Sequence, residues 1–422
     1  MSGYSLLTGV RVLEVAQLAP SSVGGHLADL GAEVVKVESG SLGDPVRAGG
    51  ALAVGGPNGP AFMHLRWNRG KKSVRLDLRD EQGKAAFRDL ARESDVVIEG
   101  TRAGYLAWLG LGYDVLAALN PRLVFCQISG LGTDGPYRHL GSGGPVFDAY
   151  AGLRSVSTPD EPPTAGLAGS TTPPIAMYAL GAYGAMGVLA ALWRARETGK
   201  GARLEVAGID VATSWMPDAV EAKLNEKRAV PRPGWLPDGR LPDWPRLEAY
   251  RTRDGAAILL GAHLEKFWRN FCHAVNRSDL LGIDLNTADE GASERAERVW
   301  RELREIFATR TRAEWIDLFL EHDIAGGPVN SFEDVIHDPH FRARRNTYTT
   351  GNAATGPVEL LVSPVRLDGE EFAPSLAPEL GADAYDVLTN VAGYDHDTAA
   401  AFCRGPARPS PVAQRGARHE HQ

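Results

Sequence analysis

The side chains able to do covalent or acid–base chemistry are scattered through this sequence rather than gathered into a motif. It contains no H-E-x-x-H, C-x-x-C, P-loop or G-x-S-x-G pattern. Zinc hydrolysis, dithiol exchange, P-loop phosphoryl transfer and nucleophile-elbow hydrolysis therefore have no support. His139, His263, His273 and His322 stand apart from one another, each reading as a surface or interdomain hydrogen bonder rather than a base. Asp148, in GSGGPVFDAYAG, follows a Gly-rich run and precedes a helix-like segment. A carboxylate there could serve as base or nucleophile; the plainer alternative is an aspartate that starts a helix. His419 and His421 sit in a polar, Pro/Arg-rich end and read as solvated tail, so no metal is expected.

Groups so dispersed need a scaffold to bring them together, and the hydrophobic pattern supplies one. Residues 10–15 (VRVLEV) read as a strand, followed by the loop AQLAPSS, a helix and a second strand at 32–38. This is a βαβ unit, the start of a doubly wound parallel sheet. The first loop has the place of a nucleotide-binding turn but lacks G-x-G-x-x-G. A Gly-rich stretch at 40–60 reads as a loop over a site. Strands at 73–78, 95–99 and 123–128 and a helix at 80–93 sustain the rhythm. The sequence PPIAMYALGAYGAMGVLAALWRARETGKGARLEV, residues 173–206, is the longest helical pattern. Gly181, Gly184 and Gly187 lie along it at three-residue spacing, and Gly199 marks its stop. Each glycine costs up to about 1 kcal/mol of helix propensity relative to alanine, so close approach by another backbone is expected. Strand character returns at 204–211, and 217–228 reads as a helix.

Five prolines in residues 231–245 mark a boundary. A hairpin around Arg253-Asp254-Gly255 and amphipathic helices at 264–275, 294–308 and 312–321 follow. The expected organisation is a large α/β domain from 1–230, a smaller α+β domain at 246–326, a return segment at 327–400 and a disordered tail at 404–422.

With 422 residues the chain is long enough for two domains. A net charge of −8 gives no electrostatic reason to expect nucleic acid or an anionic membrane as partner. Three cysteines argue against a disulfide framework and for a reducing, cytoplasmic location. No basic, apolar leader is apparent, and no apolar stretch of about 18 residues is expected.

Several motifs in order resemble the class III CoA-transferases, the family of formyl-CoA transferase, carnitine CoA-transferase and the 2-methylacyl-CoA racemases. They are LTGVRVLEVAQLAPSS, LADLGAEVVKVE, GDPVR, NRGKKSVRLDLRDEQGKAAFRDLARESDVVIEGTRAG, LGLGYDVLAALNPRLVFCQISGLGTDGPY, GVLAALWRARETGKGARLEV, IAGGPVNSFEDVIHDPHFRAR and APELGADAYDVL. The likeness spans nearly residues 6–390. It implies a Rossmann-like sheet domain assembled from both chain ends, a smaller α+β domain and an interlocked dimer. It also implies coenzyme A, as acyl-CoA, for a substrate, with no metal. Transferases of this family use an aspartate that attacks the donor thioester and carries the acyl group and then CoA, work that only an ionised carboxylate can do.

Counting back from the G-[IV]-L-A-A-L run at Gly187, the resemblance puts that aspartate's place at Met177 or Ala176. Neither ionises. The nearest acidic residues are Asp160 and Glu161 before it and Glu197 after it, the last about 30 Å along a helix. The racemase histidine is replaced by Gly143 or Gly144. The family's asparagine after the D-V-V-x-E strand is Gly100, its proline Ala103, an arginine before L-G-L Trp108, and a basic residue after K-V-E Ser39. By the same resemblance Gln17, Leu18, Ala19, Leu76, Leu78 and Arg79 hold CoA-contacting places; Arg79 could meet a phosphate or be a surface arginine before a helix. The expectation is the non-nucleophilic subunit of a heteromeric transferase, paired with a related subunit that carries the aspartate, or otherwise a homodimer. The alternatives are a stand-alone acyl-CoA enzyme using Asp148 and a non-enzymatic acyl-CoA-binding or scaffold protein.

Overall fold

The computed structural model describes residues 3–50, 52–153, 175–228, 230, 244–285 and 291–404. Its chain divides into two compact units, one made of Met1–Trp215 with Thr347–Gln422 and the other of Met216–Asn346. Most of the Pro-rich 231–245 stretch, Asp160, Glu161 and the tail from 405 onward, His419 and His421 included, lie outside the described residues.

The first unit is built on six parallel strands, β1 (Arg11–Ala16), β2 (Glu33–Glu38), β3 (Lys72–Arg75), β4 (Val96–Gly100), β5 (Val124–Ser129) and β6 (Ala202–Ala207). Their order is β3-β2-β1-β4-β5-β6, the doubly wound Rossmann order, which reverses direction between β1 and β4. Helices cover both faces, so β1, β2, β4 and β5 read as nearly continuous buried runs. On one face Val12, Val34, Ile98 and Cys126 meet α1 (Ser21–Asp29). The other face packs Leu13, Val35, Val97 and Phe125 on α3 (Glu81–Arg92) and on the late helix Ala384–Asn390. Between α1 and α3 lies α2 (Phe62–Asn68). The C-terminal segment is tied in at β3, where Asp383 accepts from the Ser73 N–H at 2.8 Å and donates its own N–H to the Ser73 carbonyl at 3.0 Å. The Rossmann-like domain is thus built from both ends of the chain, its sheet from the N-terminal part alone.

Four further helices complete this part of the unit, α4 (Tyr105–Trp108), α5 (Tyr113–Leu119), α6 (Gly144–Tyr150) and α7 (Ile175–Thr198). The long α7 lies against α1. A Cβ on Gly181 would come within 2.3 Å of Ser22 Oγ, and one on Gly184 within 2.6 Å of Val23. Two of the three glycines are therefore required by helix contact. Gly187, whose Cβ would meet nothing nearer than 3.6 Å, is not. Gly199 takes φ +69° just past the helix end.

Two expectations need correction. The run from Ile175 to Trp193 carries no charge, and α7 is long and apolar enough to cross a membrane by length and composition. Here it is a core helix on one side, with Leu180, Gly184 and Val188 buried against α1 and the sheet. Strand character also stops at Ala207 rather than continuing to 211, because α8 (Gly208–Ser214) begins there. The chain turns where Gly208 lies against the Phe147 ring, 2.6 Å from where a Cβ would stand.

The second unit pairs Leu247–Arg251 with Ala257–Gly261 as a hairpin and adds Gly326–Pro328 as a third antiparallel strand. Helices Glu265–Ala274, Ala292–Phe307 and Arg312–Glu321 close over Trp268, Phe271, Phe307 and Trp315. Thr311 and Glu314 form a capping box at the start of the last of these. It is a small α+β body with its own aromatic core.

Candidate active site

At the carboxyl ends of β1, β2, β4 and β5, beside the β1/β4 reversal, the first unit holds a cavity of about 630 Å³. That is where open α/β sheets take their ligands. The loop after β1 forms its floor. The Gln17 N–H bonds to the Gly100 carbonyl at 3.1 Å, pinning this loop to the end of β4. Leu18 is held at φ 55°, a left-handed conformation costing a non-glycine residue about 1–2 kcal/mol, and its N–H donates to Asp44 Oδ1 at 3.0 Å. Such strain persists where surrounding bonds over-determine it. Gly100 leaves room for this arrangement: a Cβ there would lie 2.4 Å from Pro20 Cβ and 2.9 Å from Ala16 Cβ. The first loop fills the space that a side chain at 100 would need.

Beneath the loop lies a cluster of charges, fully buried at Glu14, Lys36 and Lys71 and partly exposed at Arg47. Glu14 and Lys36 are cross-strand neighbours in β1 and β2 and meet at 3.1 Å. Lys36 Nζ also reaches Asp44 at 3.0 Å, the Ala16 carbonyl at 2.6 Å and Ser21 Oγ at 2.8 Å. Lys71 Nζ donates to both Glu14 oxygens at 2.8 Å, to the Ser21 carbonyl and to Asn68. Glu38 receives Arg47 through two nitrogens, plus Ser73 Oγ and the Asp44 N–H. Gly24 makes room for Glu14 under α1, since a Cβ there would fall 1.9 Å from its carboxylate.

Burial alone would raise the Asp44 and Glu38 carboxyls. The Lys36 charge and the N–H groups of Val46 and Leu18 instead hold Asp44 below its ordinary value, and Arg47 with Lys36 brings Glu38 to about 2. Burial opposes the Lys36 ammonium, but Glu14 and Asp44 raise it; burial dominates for Lys71 and lowers it to about 8. His64, buried beside Arg47, is lowered to about 3 by desolvation and that neighbouring charge. Three carboxylates thus face three cations with every site used, and the two acids in the cavity wall, Glu38 and Asp44, have their oxygens already occupied.

The rest of the wall divides into two characters. On the side of α2 and α7 it is apolar, with Met63, Trp67, Ala19 and Met177 clustered with Val46. The segments after β4 and β5 bring Arg102, Arg138 and His139, all exposed. Arg138 Nε donates to His139 Nε2 at 3.0 Å. Tyr105 lines the same part, and the exposed Trp108 stacks on it with centroids 6.2 Å apart. The hydroxyl of Thr101, also in the wall, is buried without a hydrogen-bond partner.

Gln17, Leu18, Ala19, Leu76, Leu78 and Met177 all border this one cavity. Arg79 does not. Its side chain is 70% exposed and closes on Asp77 through Nε at 3.0 Å and Nη2 at 2.9 Å. Asp148 is buried in α6 and accepts from the Ala176 N–H at 3.3 Å, in the first turn of α7; it is not part of the cavity wall. Ala176 is buried in the core rather than in the wall. Reading the sequence alone missed Met63, Trp67, Arg102 and Arg138. Asp44 and Arg47 were in view within GDPVR but carried no assigned role. Among the described residues no group of three or more His, Cys, Asp or Glu side chains could hold a metal ion.

The chain matches the family described as CoA-transferase family III over residues 7–384. It is 34% identical over 352 residues to the succinate–glutarate CoA-transferase of Agrobacterium fabrum, covering 80% of this chain and 83% of that one. The alpha subunit of the succinyl-CoA–L-malate CoA-transferase of Chloroflexus aurantiacus is 30% identical over 392 residues, 90% of this chain and 88% of the relative. The beta subunit of the same transferase is 29% identical over 403 residues, 92% and 94%. Among solved structures, Rv3272 from Mycobacterium tuberculosis superposes with a TM-score of 0.73 at 28% identity, over 89% of this chain and 97% of that one.

Proposed function

The chain belongs to family III of the CoA-transferases, which move CoA between an acyl-CoA and a carboxylic acid, and from that premise we propose that it is the partner-dependent, non-nucleophilic subunit of such an enzyme. The observation that carries this reading is Met177. It borders the cavity at the place the resemblance reserves for the nucleophile, and a thioether can neither attack a thioester nor carry an acyl group. Among the described wall residues none substitutes for it, because Glu38 and Asp44 are saturated by Arg47, Lys36, Ser21, Ser73 and backbone N–H groups. Asp148 is engaged with the start of α7.

Two features support binding and partnership. The exposed Arg102 and Arg138 with the Tyr105–Trp108 stack offer cations for phosphates and a ring face for a base, as an acyl-CoA requires. Along α7, Ile175, Tyr178, Ala182, Met186, Ala190 and Trp193 are all exposed and fall within about 120° of one helix face. An apolar stripe of this length marks a surface for another chain. The Chloroflexus relative is named by an alpha and a beta subunit, both similar to this chain, which supports a family member as partner; in this reading that partner bears the aspartate.

The test is CoA transfer between acids by the chain alone and by the chain purified with its partner from the native host. Transfer is expected only with the partner, with hydroxylamine-sensitive acyl groups on the partner and none on this chain. Turnover by the isolated chain, lost in Asp148→Asn, would replace this reading with a stand-alone enzyme. Binding of acyl-CoA with no activity restored by any partner would leave a binding protein.

A further inference from the structure

Resting on the reading that the cavity takes an acyl-CoA, we infer that its acyl end accepts an uncharged, apolar group, such as an alkanoyl chain, and excludes a dicarboxylic half-thioester such as succinyl. The inference comes from the wall around Met177. Met63 and Trp67 on α2, Ala19 in the first loop and Met177 on α7 make one apolar cluster with Val46. Trp67 and Ala19 are 5% and 6% exposed, and Trp67 meets Tyr178 edge-on at 6.3 Å. Thioether side chains adapt to irregular apolar shapes and offer no strong hydrogen bond.

A second carboxylate on the acyl group would need a cation here, because a buried charge without a partner is strongly disfavoured. Among the described residues, the cations beneath this part of the wall are all committed. Lys36 has its three protons directed among Glu14, Asp44, Ser21 and the Ala16 carbonyl. Lys71 is spent on Glu14, Asn68 and the Ser21 carbonyl. Arg47 is clamped on Glu38 and the Pro378 carbonyl. The charged side chains that do border the cavity on this side, Glu38 and Asp44, are anions. Arg102 and Arg138 follow β4 and β5, on the far side of β1 from β2. The wall therefore offers contact area to methylenes and repulsion to a carboxylate.

The experiment is calorimetric titration of the full-length chain with CoA, acetyl-CoA, butanoyl-CoA, hexanoyl-CoA and succinyl-CoA. Affinity should rise with alkanoyl length by about fourfold for each methylene that is buried. Succinyl-CoA should bind no tighter than CoA itself, and Met63→Lys should raise succinyl-CoA relative to hexanoyl-CoA. If CoA binds and succinyl-CoA binds tighter than hexanoyl-CoA, the inference falls while the cavity remains an acyl-CoA site. If none of the five binds, the cavity reading falls, and this inference with it.

Discussion

Asp44 and Leu18 are joined by one hydrogen bond of 3.0 Å, from a strained backbone N–H to a carboxylate that Lys36 keeps ionised. The shape of the cavity floor is in this way tied to a buried charge. The cluster that supplies the charge also makes the fold sensitive to acid. Glu38, its neighbour, has its folded-state carboxyl depressed from 4.5 to about 2. A depressed carboxylate contributes stability that is present above the unfolded value and lost as pH falls through the folded one. Unfolding free energy measured in urea should therefore decline between about pH 4.5 and pH 2. The Glu38 share of that loss is roughly 3 kcal/mol. A flat profile across that window would show that the Glu38–Arg47 pair does not form.

The three glycines of α7 should separate by contact. Gly181→Ala and Gly184→Ala push a methyl into Ser22 and Val23. Overpacking of this kind costs about 1–3 kcal/mol, more than the helix propensity gained. Gly187→Ala meets only ordinary contact and should stabilise by up to about 1 kcal/mol. Thermal or urea unfolding of the three variants reads the difference directly. Equal effects at all three positions would refute the α1–α7 contact.

Nucleotide binding should depend on the cavity arginines and not on Arg79. Arg102→Ala or Arg138→Ala removes a cation from the wall, and a lost charge-assisted hydrogen bond weakens CoA by about 10- to 100-fold. Both should also flatten the salt dependence of binding. Arg79→Ala, on an exposed side chain closed on Asp77, should leave the affinity of CoA unchanged in the same titration.

The exposed face of α7 should control assembly. Met186→Lys with Trp193→Glu places two charges on the stripe without touching its buried side. Sedimentation or light scattering should report loss of association with the partner, while unfolding of the isolated chain moves by no more than about 0.5 kcal/mol. Association that survives both charges would put the interface elsewhere.

The fold was legible because it rests on patterns of a few residues each. Alternation and burial in VRVLEV and AEVVKVE, with a helix between them, are sufficient for a βαβ start. The site was legible only where it is made by the chain near those strands, as at Gln17–Leu18–Ala19 after β1. Met63 and Trp67 come from a helix whose sequence, FMHLRWN, gives no sign of which side faces a cavity. Arg102 and Arg138 are brought together by the spacing of β4 and β5, a property of the sheet rather than of either loop. Arg79 failed for the opposite reason. Asp77, two residues away, satisfies its guanidinium locally, and a motif carries no account of such competition. The uncharged run of α7 was underestimated because its many glycines and alanines lower the apparent apolarity of a segment that contains no charge for 19 residues.

That run has a consequence for how the chain is made. Synthesis proceeds from the N-terminus, so α1 and the first five strands have left the ribosome before α7 emerges. The side of α7 bearing Gly181 and Gly184 finds its receiving surface already formed. On the side bearing Tyr178, Met186 and Trp193, Tyr178 meets Trp67 edge-on, while Met186 and Trp193 stay 58% and 68% exposed after folding is complete. Under the proposed assembly, production of this polypeptide in excess of its partner would leave that face open to chaperones and to aggregation, so a single helix would then demand balanced expression of the two.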